Sequence, residues 1–147
     1  MKYSEAEFGR VFVLRLEDGD ILHEEIEECA EKNSVHAGFV ILVGGADEGS
    51  RLVVGPEDGR VNPPSPVEHI LEGVHEIAGV GTLFPDETEK PVLHMHMASG
   101  RKDRTVTGCV RRGVRVWQIM EGVLIEIKGC WAKRIYDEKT GFKLLQV

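Results

Sequence analysis

Cysteine is scarce. The 147-residue chain has three, Cys29, Cys109 and Cys130, an odd and scattered set. That excludes a disulfide framework and fits a reducing compartment. Asn and Gln number only two each, while Glu, Lys and Arg are plentiful, a bias seen in thermophilic proteins. Positive charge is also short. Eighteen Lys and Arg against 25 Asp and Glu give a net charge of −7. This argues against general affinity for nucleic-acid phosphates or anionic lipid and leaves only local basic patches. No apolar run approaches the length of a membrane span. The first ten residues, MKYSEAEFGR, hold no apolar stretch of the signal-peptide kind. The expected location is therefore the cytoplasm, away from membranes. No linker, repeat or low-complexity tract is present, so residues 1–147 read as a single domain.

What is there reads as one helix and many strands. From Asp20 onward, Leu22, Ile26, Cys29 and Ala30 form the stripe of one helix face. Asp20 is the expected N-cap, Glu24 and Glu25 favour the positive end of the dipole, and the helix should stop near Asn33 and Ser34. Residues 39–43 (FVILV) are a continuous apolar run, as in a strand covered on both faces. Strands are also expected at 51–54, 69–83, 92–98, 105–110 and 114–127, with a hairpin around 137–141. The Pro- and Gly-rich segment 55–66 reads as a loop. Gly73, Gly79 and Gly81, inside a strand-like run, point to sheet curvature or to close packing against another subunit. The pattern implies an α+β fold: a mostly antiparallel, strongly curved sheet with one main N-terminal helix packed on it.

The chemistry concentrates in residues 93–97, LHMHM. In a strand, residues two apart share a face, so His94 and His96 project one way and Met95 and Met97 the other. The polar segment SGRKDR that follows is a hairpin connection. If its turn centres between Lys102 and Asp103, His96 lies directly opposite Cys109, with Cβ atoms about 4.5–5.5 Å apart. A register slip of one residue would send Cys109 to the other face. Two imidazoles and a thiolate are a ligand set for one metal ion, with zinc favoured and iron, nickel or copper also compatible. Three protein ligands leave a tetrahedral position open, the pattern of catalytic rather than structural zinc sites.

The order of these motifs resembles the plants-and-prokaryotes-conserved (PPC) domain family. LHMHMASGRKDRTVTGCVRRG is similar to its His-x-His, turn, Gly-Gly-His-Leu signature. VHAGFVILVGGADEGSRL, EGVHEIAGVGTL and EGVLIEIKGCWAKRIYDEKTGFKLL resemble its other strands and its C-terminal ending. The resemblance implies a compact α+β domain that forms a homotrimer, similar in fold to acetolactate decarboxylase, which binds zinc through His-x-His and a later His. By position His94 and His96 match the His-x-His. Cys109 stands where the family usually has its third histidine, a change that keeps a zinc ligand but lowers the Lewis acidity of the ion. Glu121 matches the glutamate that begins the family's C-terminal strand, the candidate general base or outer partner of a ligand histidine.

His36, His23, His69 and His75 read as structural histidines. Arg101, Lys102, Arg104, Arg111, Arg112 and Arg115 are the one basic cluster, suited to an anionic ligand or to solvent. Plant members of the family bind DNA through Arg-Gly-Arg-Pro hooks. This chain has none, so direct nucleic-acid binding is not expected. Three functions follow: a trimeric metal-binding (zinc) module of unassigned biochemical role, regulation among the options, a zinc-dependent lyase or hydrolase acting on a small acidic metabolite, and a DNA-associated interaction module.

Overall fold

The computed structural model describes residues 1–111 and 113–147. The elements run β1 (Glu7–Glu17), α1 (Leu22–Lys32), β2 (Gly38–Ala46), β3 (Arg51–Pro56), β4 (Pro66–Ile70), β5 (His75–Pro85), β6 (Pro91–Arg101), β7 (Arg104–Val110), β8 (Val116–Lys128), β9 (Lys133–Asp137) and β10 (Phe142–Gln146). The first eight strands form one open sheet in the order β1-β8-β2-β5-β6-β7-β3-β4, and β9 and β10 form the separate C-terminal hairpin. All strand pairs in the large sheet are antiparallel. With one helix among the described residues, the α+β, mostly antiparallel expectation holds. No helix among them is long and apolar enough to cross a membrane.

The helix lies on one face of the sheet. Its stripe of Leu22, Ile26 and Ala30 is buried against Val40, Leu42, Met95, Met97, Met120 and Leu124. Removing this apolar surface from water is the main stabilising term for the fold. Asp20 is not the helix cap. Ile21 holds that position without a side-chain bond, and the Asp20 carboxylate instead accepts the backbone N–H of Glu17 at 2.8 Å. That bond closes the turn between β1 and α1.

Two strand readings change. Residues 7–17 (EFGRVFVLRLE) form edge strand β1, where alternation puts Leu16 in the core and leaves Val11 and Val13 exposed. The run 69–83 is two strands, because Gly73 takes a left-handed φ of 77° that a continuous strand cannot contain. Gly79 and Gly81 do not mark a bulge. Their ladders with β2 and β6 run without register shifts. A Cβ on Gly79 would sit 3.3 Å from Met97 Cβ, and one on Gly81 2.9 Å from Met95 Cβ. The glycines make room for the methionines of the next strand.

The face of β2 away from the helix is bare. Val40 and Leu42 are fully buried, whereas Ile41 and Val43 are 44% and 51% exposed. The continuous apolar run is therefore covered on one face only within a single chain.

Candidate metal centre

β6 and β7 pair with His96 opposite Cys109, and the turn between them is Lys102–Asp103. This is the register expected from the sequence. Lys102 takes the left-handed conformation that so tight a connection requires. Met95 and Met97 fill the core, and His94 and His96 project from the opposite face. The start of β6 is fixed from the helix: the Leu93 N–H donates to Glu27 Oε1 at 2.9 Å.

The ligand atoms of His94, His96 and Cys109 lie within 4.8 Å of one another. The two Nε2 atoms are 3.3 Å apart, and the rings meet edge-on with centroids 5.2 Å apart. Two ligand nitrogens on a tetrahedral zinc are separated by about 3.3 Å. The donor chemistry and the spacing both fit zinc.

The electrostatics favour the ligating form of the imidazole. Burial holds the His94 pKa below its ordinary value, and the Arg134, His96 and Arg111 charges push it the same way. A neutral ring keeps a lone pair for a metal. Burial pushes the Cys109 thiol up, and Arg111 and Arg134 pull against it. Arg134 is itself buried and donates to Thr82 Oγ1 at 2.9 Å and to Thr82 O at 3.3 Å. Thr82 lies opposite His94 on β5.

A cavity of about 230 Å³ opens over the three residues. Val53 and Arg111 line its sides, Pro64 and Pro66 come from the Pro-rich segment, and Phe142 comes from the C-terminal hairpin. Arg111 stacks on Phe142, 5.8 Å from the ring centre. Of these, Arg111 belongs to the basic cluster read from the sequence, whereas Val53, the two prolines, Phe142 and Arg134 have no local signal there. Only their proximity in space marks them, although Arg134 and Phe142 belong to the C-terminal stretch with family resemblance.

Glu121 is not brought to this group within one chain. It sits on β8, paired with Val43 and Arg15, and β2 and β5 intervene before β6. Three strand spacings put it about 14 Å away across the sheet. His23, His36, His69 and His75 also lie outside the cluster. His36 is exposed, and His75 is buried with Nδ1 2.9 Å from Gly73 O. The basic residues do not form one patch. Arg101, Lys102 and Arg104 surround the β6–β7 turn, Arg111 faces the metal cavity, and Arg115 forms a bridge with Ile21. Arg112 falls outside the described residues.

Comparison with known proteins places this geometry in context. Residues 3–128 match the family model described as the Plants and Prokaryotes Conserved (PCC) domain, also written PPC. A metal-containing protein from Archaeoglobus fulgidus is 27% identical, with TM-score 0.83 and full coverage of both chains. A plant- and prokaryote-conserved protein from Pyrococcus horikoshii is 19% identical, with TM-score 0.85, covering 100% of this chain and 98% of that one. A candidate DNA-binding protein from Bacteroides thetaiotaomicron shares the fold at 16% identity, TM-score 0.74 and 96% coverage of each. Among curated proteins, the bifunctional protein GlmU of Synechococcus strain JA-3-3Ab is 30% identical over 141 residues. That match takes in 94% of this chain and 20% of GlmU, so the chain spans about a fifth of that relative's length.

Proposed function

The chain belongs to the Plants and Prokaryotes Conserved domain family, and from that premise we propose that it is a zinc-binding module that holds one ion through His94, His96 and Cys109 and presents it to a small anionic ligand. The observation that carries this is the convergence of two imidazole nitrogens and a thiol within 4.8 Å at the floor of a cavity. The metal-containing relative from Archaeoglobus fulgidus supports it. Arg111, in the cavity wall, supplies the positive charge that would draw an anion to the ion's open position.

An enzymatic reading, a lyase or hydrolase on a small acidic metabolite, has one observation in its favour: the cavity adjoins a three-ligand set. A zinc ion bound there would supply a Lewis acid. Either reaction also needs a group to move a proton. No carboxylate lines the cavity among the described residues, and Glu121 is three strands away. A binding or regulatory role is therefore preferred. A DNA-associated role is weaker. The relatives named for DNA binding share only the fold, the chain carries −7, and no Arg-Gly-Arg-Pro hook is present.

The assembly reading is a homotrimer. Val13, Ile41 and Val80 form a bare apolar row at 86%, 44% and 54% exposure, and covering it with other copies would remove that surface from water. Metal content of the purified protein after zinc supplementation tests the site. One zinc per chain is expected in the wild type, with loss in Cys109→Ala and His94→Ala. A metal-free wild type would overturn the reading.

A further inference from the structure

A second cavity, larger than the one over His94, His96 and Cys109, lies elsewhere on the molecule. It holds about 650 Å³ on the helix-covered side of the sheet, beyond the helix, between the β6–β7 turn and the β4–β5 connection. Ser99, His75, Arg101, Lys102, Arg104 and Thr105 line it, together with the carboxylates of Glu72 and Asp103.

Ser99 is the unexplained residue. It shares the core face of β6 with Met95 and Met97, sits between Ile77 and Val106, and is 0% exposed. Its hydroxyl is buried without a partner among the described residues. A buried polar group left unpaired is destabilising, and such groups are rare enough in folded proteins to need a reason. Alanine would fill the same space without that cost.

The groups around Ser99 are held in place. Arg101 donates to Val74 O at 2.7 Å, and its guanidinium packs where a Cβ on Gly73 would be, 2.9 Å from Cζ. His75 is fixed by its contact with Gly73 O. Lys102 and Arg104 flank the mouth. Three cations, Arg101, Lys102 and Arg104, outnumber two carboxylates here, although the whole chain is acidic. A hydroxyl donor beside an arginine with unused N–H groups suits phosphate oxygens, because arginine binds oxyanions through paired, charge-assisted bonds. The volume exceeds that of a bare ion and falls in the range of metabolite-sized pockets.

We propose that this cavity binds a small phosphorylated metabolite, with the phosphate seated between Ser99 and Arg101. The site is separate from the metal centre and does not rest on the zinc reading.

The test is an amide NMR titration of the zinc-supplemented 147-residue chain with ribose 5-phosphate, with ribose and inorganic phosphate as separate arms. Saturable shifts at Ser99, His75 and Arg101 with ribose 5-phosphate, and none with ribose, are expected. Saturation with inorganic phosphate as well would support the same seat with the sugar dispensable. Ser99→Ala should weaken binding about tenfold, the loss of one charge-assisted bond. It should leave the melting temperature of the ligand-free protein unchanged or higher. Cys109→Ala should bind like wild type. Shifts that fail to saturate, that saturate equally in Ser99→Ala, or that gather at His94 and His96 and vanish in Cys109→Ala would overturn the proposal. So would a lowered melting temperature in Ser99→Ala, which would show the hydroxyl to be a structural bond.

Discussion

The two faces of β6 differ in everything but their backbone. One carries Met95 and Met97, at 0% and 1% exposure, under the helix. The other carries His94 and His96, both exposed. The imidazoles continue a single row of opposed residues that crosses the sheet: Val13, Val123, Ile41, Val80, His96, Cys109 and Val53. That row is apolar at the β1 side and carries the His and Cys side chains at the β6–β7 side. The covered face makes the core, and the bare face carries the proposed zinc site and the exposed apolar row.

The largest effect is expected on the covered face. Met97→Ala should cost about 2–5 kcal/mol of stability, since a fully buried side chain leaves a cavity. Urea unfolding of the metal-free protein measures it. A cost below about 1 kcal/mol would mean that the helix does not seal this face. Next comes the apolar end of the bare row. Val13→Asp should weaken association between copies roughly 10–100-fold, the loss of one buried valine, while zinc content stays at the wild-type level. Sedimentation velocity reads the first, metal analysis the second. Unchanged association would remove Val13 from the interface.

The covered face also holds one buried carboxylate, and it sets a pH dependence. Glu126 is held down to about 2 from its ordinary 4.5, chiefly by side-chain bonds from Arg10 and then by the Arg10 backbone N–H. Those bonds measure 2.8, 2.8 and 3.0 Å. A depressed carboxylate stabilises the fold above its unfolded pKa and loses that contribution as pH falls through the folded value. Melting temperature should therefore drop between pH 4.5 and about 2, and Glu126→Gln should make that drop shallower. An identical acid limb in the variant would contradict the assignment. The smallest effect belongs to His96→Ala in metal-free protein. An exposed side chain away from the core should change stability by no more than about 0.5 kcal/mol. This is the sharpest contrast with Met97→Ala, one residue away.

Much of this was legible in the sequence because strand parity is strict. LHMHM settles which residues face together, and the Lys102–Asp103 turn settles what lies opposite His96. The helix stripe and the C-terminal hairpin were legible for similar local reasons. What stayed hidden depends on distance in space. Arg134, Phe142 and the prolines reach the site only through tertiary folding, and Glu121, which a family pattern lists with the site, lies three strands from it within one chain. The close approach of Met95 and Met97 to Gly81 and Gly79 was hidden because these partners lie in another strand. β1 was readable from its alternation and went unread. Cys109, where the chain leaves its family's pattern, proves to be the buried member of the cluster, and Arg111 and Arg134 act on it as they do on His94.

X-ray absorption at the zinc edge of the zinc-supplemented protein reads the ligand set itself. The account predicts a first shell with one sulfur at about 2.3 Å and two imidazole nitrogens at about 2.0–2.1 Å, with the sulfur lost in Cys109→Ser. A shell without sulfur in the wild type would contradict it.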